Sequence, residues 1–142
     1  MNPTQSQMTV QMIKGTPAYM APEAFTGGET DARMDIYSLG CVAYWLLCGK
    51  RVFDAGTLPQ MMHSHVNQVP PAPSKSSSNP IPAALDDLVL RCLEKDPARR
   101  PASVRKLAAL LRACGVEPGW THADAERWWT EASAPLTTTE SM

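Results

Sequence analysis

Residues 33–48, RMDIYSLGCVAYWLLC, put apolar side chains on every face of a helical wheel. Such a helix is predicted to be buried all round, so the rest of the chain has to supply neighbours on every side. Gly49 follows as a C-cap, with Lys50 and Arg51 near the negative end of the helix dipole. The longest apolar run, LGCVAYWLLCG, is about half of the roughly 20 residues a bilayer-spanning helix needs, so no transmembrane segment is predicted. With 142 residues, 44% of them hydrophobic, the chain has enough apolar material for one domain around this helix.

Further helices follow. One is predicted over Leu58–Asn67, with Pro59 early and Met61, Met62, His65 and Val66 turned inward. VPPAPSKSSSNPIP, residues 69–82, reads as an extended, mobile connection with no packing demand. Pro82 opens the next helix, in which Leu85, Leu88, Val89, Cys92 and Leu93 recur at helical spacing. EKDPARRP ends it, since a proline disfavours helical geometry in the residue before it. Ser103 is the predicted N-cap of a helix through Cys114, with Val104, Leu107, Leu110 and Leu111 inward and Gly115 as the stop. A last short helix is predicted over His122–Ala132, where Thr121 and Asp124 have capping-box spacing. Its adjacent Trp128 and Trp129 lie on different faces, so one is expected to dock on the core and the other to stay partly exposed. PLTTTESM is a polar tail.

Several function classes are disfavoured. Thirteen basic and 14 acidic residues leave a net charge of −1, which offers no footprint for nucleic acid or an anionic membrane. Cys41, Cys48, Cys92 and Cys114 form no C-x-x-C pair or zinc spacing and read as small core residues. His63 and His65 lack a third ligand at helical spacing, so no metal site is predicted. Residues 1–14 lack the pattern of a secretory signal, and a cytoplasmic location is expected.

The front of the chain is more particular. GTPAYMAPE, residues 15–23, cannot lie inside a helix or a central strand, because each proline removes a backbone donor and fixes φ. Ala21, Pro22 and Glu23 spell the A-P-E that ends the protein kinase signature set. GTPAYMAPE resembles the substrate-docking loop of that family, DIYSLGCVAYWLL from Asp35 resembles its buried central helix, and CLEKDPARRP resembles its D-P-x-x-R-P segment. Three matches in the right order are far more specific than one tripeptide. They cover roughly residues 9–113 and resemble bacterial serine/threonine protein kinases.

The resemblance implies an all-α chain, the helical C-lobe portion of a kinase-like fold without N-lobe or catalytic loop. The partial kinase domain would span 1–114, and 115–142 would be an extension with a short Trp-containing helix and a disordered tail. Glu23 would form a buried ion pair with Arg100. Asp35 would hold the catalytic loop by accepting its backbone N–H groups, and an acid there also suits the helix dipole. The hydroxyl of Thr16 would reach the catalytic base and a catalytic-loop lysine. Gly15, Pro17 and Tyr19 would line the pocket for the residue after the phosphoacceptor. Thr9, or less readily Thr4, would be the activating phosphosite. With Thr16, Ala18 and Tyr19 in place of the tyrosine-kinase pattern, serine/threonine specificity is implied. Val52 departs mildly from the family, which usually has proline there.

Phosphoryl transfer needs a phosphate-covering glycine loop, a lysine paired with a glutamate, metal-binding Asp and Asn, and a base. No G-x-G-x-x-G, V-A-I-K, H-R-D-x-x-x-x-N or D-F-G occurs in these 142 residues. No catalytic residue, metal or cofactor is therefore expected on this chain, ATP and Mg belonging to the full-length family. The chain is expected to begin inside an activation segment, through a misplaced start or a broken or split gene. Its expected partners are a protein substrate and the missing kinase half. Because upstream segments would cover part of the central helix, the isolated chain is expected to be marginally stable or aggregation-prone. A second reading is a catalytically dead module that holds a kinase partner or substrate through the Thr16 loop and the 58–67 helix.

Overall fold

The computed structural model of the chain describes residues 16–116 and 119–132. The described chain opens with a 3-10 turn, Pro17–Tyr19, and a short helix α1, Pro22–Thr26. Pro17 and Pro22 stand at first helical positions, where the missing N–H has no partner to lose. Gly27 closes α1 at φ 72°, a left-handed conformation that glycine enters without a Cβ clash. Then follow α2 (Arg33–Cys48), α3 (Leu58–Asn67), α4 (Ala83–Cys92), α5 (Val104–Ala113) and α6 (His122–Ala132). The described residues contain no strand, and the architecture is all-α.

Local chemistry sets the helix starts. The Thr57 hydroxyl accepts from the Gln60 N–H at the head of α3, and the Ser103 hydroxyl accepts from the Lys106 N–H at the head of α5. Thr121 and Asp124 bond reciprocally at the head of α6. Pro82 serves as the N-cap of α4, one position before its first helical residue.

The core forms around one face of α2, where Ile36, Tyr37, Cys41 and Tyr44 are buried. Burial of side chains this large contributes about 1.5–3 kcal/mol each. α4 packs along this helix, and α1 and α3 close the front. Gly40 permits the close approach of α4: a Cβ at that position would lie 2.7 Å from the Cys92 Cβ and 3.2 Å from Leu93 Cδ2.

Four expectations from the sequence are corrected. First, α2 is not buried all round. Leu39, Val42, Trp45 and Leu46 are exposed, Leu46 at 70%, and Leu39 lines an open groove with Leu85, Val104 and Leu111 rather than a closed core. Second, the proline- and serine-rich connection is packed. Pro73 is fully buried in a 3-10 turn, the Tyr44 hydroxyl donates to Ser76 Oγ at 2.8 Å, and Ser74 bonds Asp86 through its N–H and hydroxyl. The buried tyrosine hydroxyl needs a partner, and this connection supplies it. Third, α5 buries none of its residues, and Val104 and Leu111 stay about half-exposed. Fourth, Trp128 and Trp129 are both exposed, at 49% and 65%, their rings packed edge to face against each other at 4.7 Å. Among the cysteines only Cys41 and Cys92 are fully buried, and Cys48 and Cys114 are half-buried. Met62 and Val66 are likewise only half-buried.

Gly40→Ala is expected to destabilise the chain by about 1–3 kcal/mol through overpacking. Gly56→Ala, where the nearest atom is the flexible Gln60 side chain at 3.7 Å, serves as the control. Urea unfolding should show a lower midpoint for the first and not for the second.

Candidate functional site

Arg100 follows the 3-10 turn Pro97–Arg99 and reaches back 77 positions to Glu23 at the start of α1. Nη1 donates to Glu23 Oε1 at 2.6 Å and to the Arg33 carbonyl at 3.0 Å. Nη2 donates to Glu23 Oε2 at 2.8 Å and to the Lys95 carbonyl at 3.2 Å. Nε donates to the Glu94 carbonyl at 2.8 Å. The guanidinium thereby uses its donors on a bidentate carboxylate and three carbonyls, with its carbon 4.9 Å from the centre of the Tyr37 ring. Both side chains are buried, Glu23 8% and Arg100 2% exposed. Burial works to raise the Glu23 pKa, but the hydrogen bonds and charge of Arg100, with a local backbone hydrogen bond, hold the carboxyl below its ordinary value.

This clamp fixes the segment ahead of it. Ala21 and Pro22 are buried, and Ser38 of α2 donates its hydroxyl to the Tyr19 carbonyl at 2.7 Å. The Pro17–Tyr19 turn is thus tied to α2 at its Tyr19 end, and the chain just beyond it is tied to Arg100 at Glu23. It opens on a cavity of about 440 Å³ whose walls include Thr16, Pro17, Tyr19, Arg51, Thr57 and Met61. Thr16 is exposed, and its hydroxyl makes no capping bond to the turn.

Behind the loop lies His65 of α3, fully buried. Its Nδ1 pairs with the Tyr37 hydroxyl at 2.8 Å, and the rings of Phe25 and Phe53 pack on it. Nε2 has no hydrogen-bond partner among the described residues. Burial pushes the His65 pKa down to about 4, the nearby Lys95 charge adds to this, and the Ala18 backbone opposes it weakly without reaching hydrogen-bond geometry. Lys95 Nζ donates to the His65 carbonyl at 2.7 Å and lies 4.8 Å from the centre of the Phe53 ring. Its pKa falls to about 8, chiefly through burial.

The structure brings Glu23 and Arg100 together and sets Thr16, Pro17 and Tyr19 on one cavity wall. Asp35 stands apart: it lies exposed in the first turn of α2, and no described residue donates a hydrogen bond to it. Gly15, Thr9 and Thr4 lie outside the described residues. Among the described residues no group of three His, Cys, Asp or Glu is placed to hold a metal ion, and no helix is long and apolar enough to cross a membrane. Sequence reasoning passed over Ser38 and Lys95, and gave Arg51 only a place at the end of the helix dipole. A hydroxyl within an apolar helix was the available sign for Ser38, while Lys95 and Arg51 carry no pattern that separates them from ordinary surface cations.

A front loop held by a buried bidentate ion pair to the segment after α4, on a helical base with no strand among the described residues, is the arrangement of a protein kinase C-lobe. Residues 2–110 match the family model of the protein kinase domain, and the chain belongs to the protein kinase family. It is 36% identical over 106 residues to serine/threonine-protein kinase pkn3 of Myxococcus xanthus, covering 74% of this chain and 19% of that protein. It is 39% identical over 119 residues to the DNA damage-responsive serine/threonine-protein kinase RqkA of Deinococcus radiodurans, covering 83% and 16%. With serine/threonine-protein kinase Pkn1 of Myxococcus xanthus it shares 43% identity over 106 residues, covering 75% and 15%. The chain spans less than a fifth of the length of these three relatives.

Arg100→Ala would leave the Glu23 carboxylate buried and unpaired, with an expected loss of about 3–5 kcal/mol in chemical unfolding. Acid should weaken the fold in two windows. His65 is held unprotonated in the fold, so its contribution is full above the ordinary pKa of 6.5 and is lost as pH falls toward about 4. That loss is roughly 3 kcal/mol at most. Glu23 adds a second loss below its ordinary 4.5, because its lowered pKa favours the charged form present only above that range. His65→Phe should remove the slope between pH 6.5 and 4.5 while leaving the lower one, as read from unfolding midpoints across pH.

Proposed function

We propose that this chain supplies the substrate-docking and scaffolding half of a bacterial serine/threonine protein kinase, whose complete form transfers the ATP γ-phosphate to Ser/Thr hydroxyls of proteins. The observation that carries this reading is the Thr16–Tyr19 turn, held by the Glu23–Arg100 pair and Ser38 over an open cavity. In the complete kinase Thr16 faces the catalytic base, Gly15, Pro17 and Tyr19 receive the residue after the phosphoacceptor, and Asp35 accepts backbone N–H groups of the catalytic loop. Thr9, or Thr4, is the activating phosphosite. The exposed apolar side chains Leu39, Val42, Trp45 and Leu46 on α2 offer a surface for the rest of the catalytic domain.

These 142 residues contain none of the family's nucleotide, metal or base motifs, so the chain alone is inactive and ATP and Mg are bound by the other half. A catalytically dead module holding a partner through the same loop is separated from this reading by one experiment. The ATP-handling segments of Pkn1 from Myxococcus xanthus are fused upstream of the chain, and phosphate transfer to serine, threonine and tyrosine peptides is followed. The chain alone should transfer nothing, and the fusion should phosphorylate serine and threonine. Thr16→Ala should slow the fusion about a hundredfold by misplacing the reacting groups. Transfer by the chain alone, or a folded fusion that transfers nothing, would overturn the proposal.

A further inference from the structure

The cavity beside the Pro17–Tyr19 turn has a charge that its proposed role does not require. Its walls are mostly apolar or hydroxylic: Pro17, Tyr19 and Met61, with Thr16 and Thr57 at the rim. Arg51 lines it as well, exposed to solvent and, among the described residues, without an ion-pair partner. Asp54, three positions along, is the nearest acid in sequence. It lines the neighbouring hollow with Pro59 and His63 and not this one, and no acidic side chain is among the residues that line the Arg51 cavity.

An unpaired guanidinium on an otherwise uncharged wall disfavours a cationic occupant and favours an anionic one. Its planar fork matches a carboxylate or phosphate oxygen pair in a way that an ammonium does not. The N-terminal end of α3, at Thr57 and Leu58, adds potential of the same sign. The apolar remainder, Tyr19 and Met61, suits the methylene stem of a side chain whose charged end reaches Arg51.

We propose that Arg51 is a specificity-determining residue that selects protein substrates with an anionic side chain, carboxylate or phosphate, directly after the phosphoacceptor. This inference rests on the reading of the Thr16–Tyr19 turn as the substrate-docking loop.

Peptides with a central serine, identical except for Glu, phosphoserine, Leu or Lys at the following position, test it. Each is titrated into the isotope-labelled 142-residue chain, with the amide NMR shifts of Ala18, Tyr19, Thr57 and Met61 as readout. The expected order is phosphoserine and Glu ahead of Leu, with Lys weakest. The Glu-to-Leu preference should be about threefold at low salt, the size of an exposed ion pair, and should shrink as salt is raised. Phosphoserine far ahead of Glu would identify a previously phosphorylated substrate as the source of the anion. Similar binding of the two would identify an acidic sequence. Arg51 is exposed, so its variants should keep the fold. Arg51→Ala should abolish the preference, and Arg51→Glu should reverse it toward Lys. Equal binding of the Glu and Leu peptides, or a preference that survives in Arg51→Ala, overturns the role of Arg51 while leaving the docking loop intact. Failure of every peptide to shift these amides overturns the docking reading and this inference with it.

Discussion

The contact on which the rest of the structure depends is the buried pair between Glu23 and Arg100. A carboxylate removed from water without a partner is costly, and a guanidinium removed with donors to spare is also costly. Here each cancels the other's penalty, and the remaining donors of Arg100 go to the carbonyls of Arg33, Glu94 and Lys95. One side chain therefore ties three stretches of chain: the front loop at Glu23, the start of α2 at Arg33, and the segment that follows α4. The geometry of the front loop is set by this convergence, because Pro17–Tyr19 and Pro22–Thr26 are too short to hold themselves in place. A lysine at position 100 could match the charge but not the two-oxygen fork or the stacking over Tyr37.

His65 and Lys95 show how much polar chemistry the core accepts behind that loop. The histidine spends one nitrogen on Tyr37 and leaves the other buried without a partner among the described residues, surrounded by the rings of Phe25, Tyr37 and Phe53. Lys95 keeps its cation by capping the carbonyls of Ser64 and His65 at the C-terminal end of α3, where the helix dipole favours positive charge. The packing of α3 against the loop therefore depends on pH through the histidine, while the closing of its last turn depends on an ammonium that burial pushes toward neutrality. Neither group lines the cavity itself, so their influence on the loop is positional.

Much of the helical framework was legible in the sequence, for local reasons. Ser103 announces α5, Thr121 and Asp124 announce α6, and Gly49 at φ 68° closes α2. The interior of α4 follows from its apolar spacing, Leu88, Val89 and Cys92 all being buried. What was not legible was what each element meets. Composition described residues 69–82 as mobile, yet the Tyr44 hydroxyl and the Asp86 carboxylate draw Ser76 and Ser74 into fixed bonds. An apolar stripe on α5 says that a partner is wanted, not that one is present, and Val104 and Leu111 remain half in solvent. At the candidate site, nothing in spacing or composition links positions 23 and 100; only the family resemblance does. Arg51 was given only a dipole role, because an arginine after a helix end reads as a partner of that end until the cavity beside it is seen.

The central helix carries the deepest ambiguity, and it is a physical one. When apolar residues occupy every face, the pattern has no direction, so it cannot distinguish a face that meets this chain from one that meets another polypeptide. The structure shows which face this chain covers. Ile36, Tyr37, Cys41 and Tyr44 are consumed by α4, the Pro17–Tyr19 turn and the 69–82 connection, with Gly40 trimmed to let α4 in. Val42 and Leu46, spaced four apart, form the opposite stripe with Trp45 beside them and stay open, while Leu39 lines an open groove between α4 and α5. At about 25 cal/mol per Å² of apolar surface, a few hundred Å² left in water is comparable with the whole net stability of a domain. Under the proposed function, the rest of the catalytic domain would cover that stripe and remove the cost. The Glu23–Arg100 clamp makes the front loop rigid on its own scaffold, and under the same proposal the open stripe is where the rest of the catalytic domain would join that scaffold.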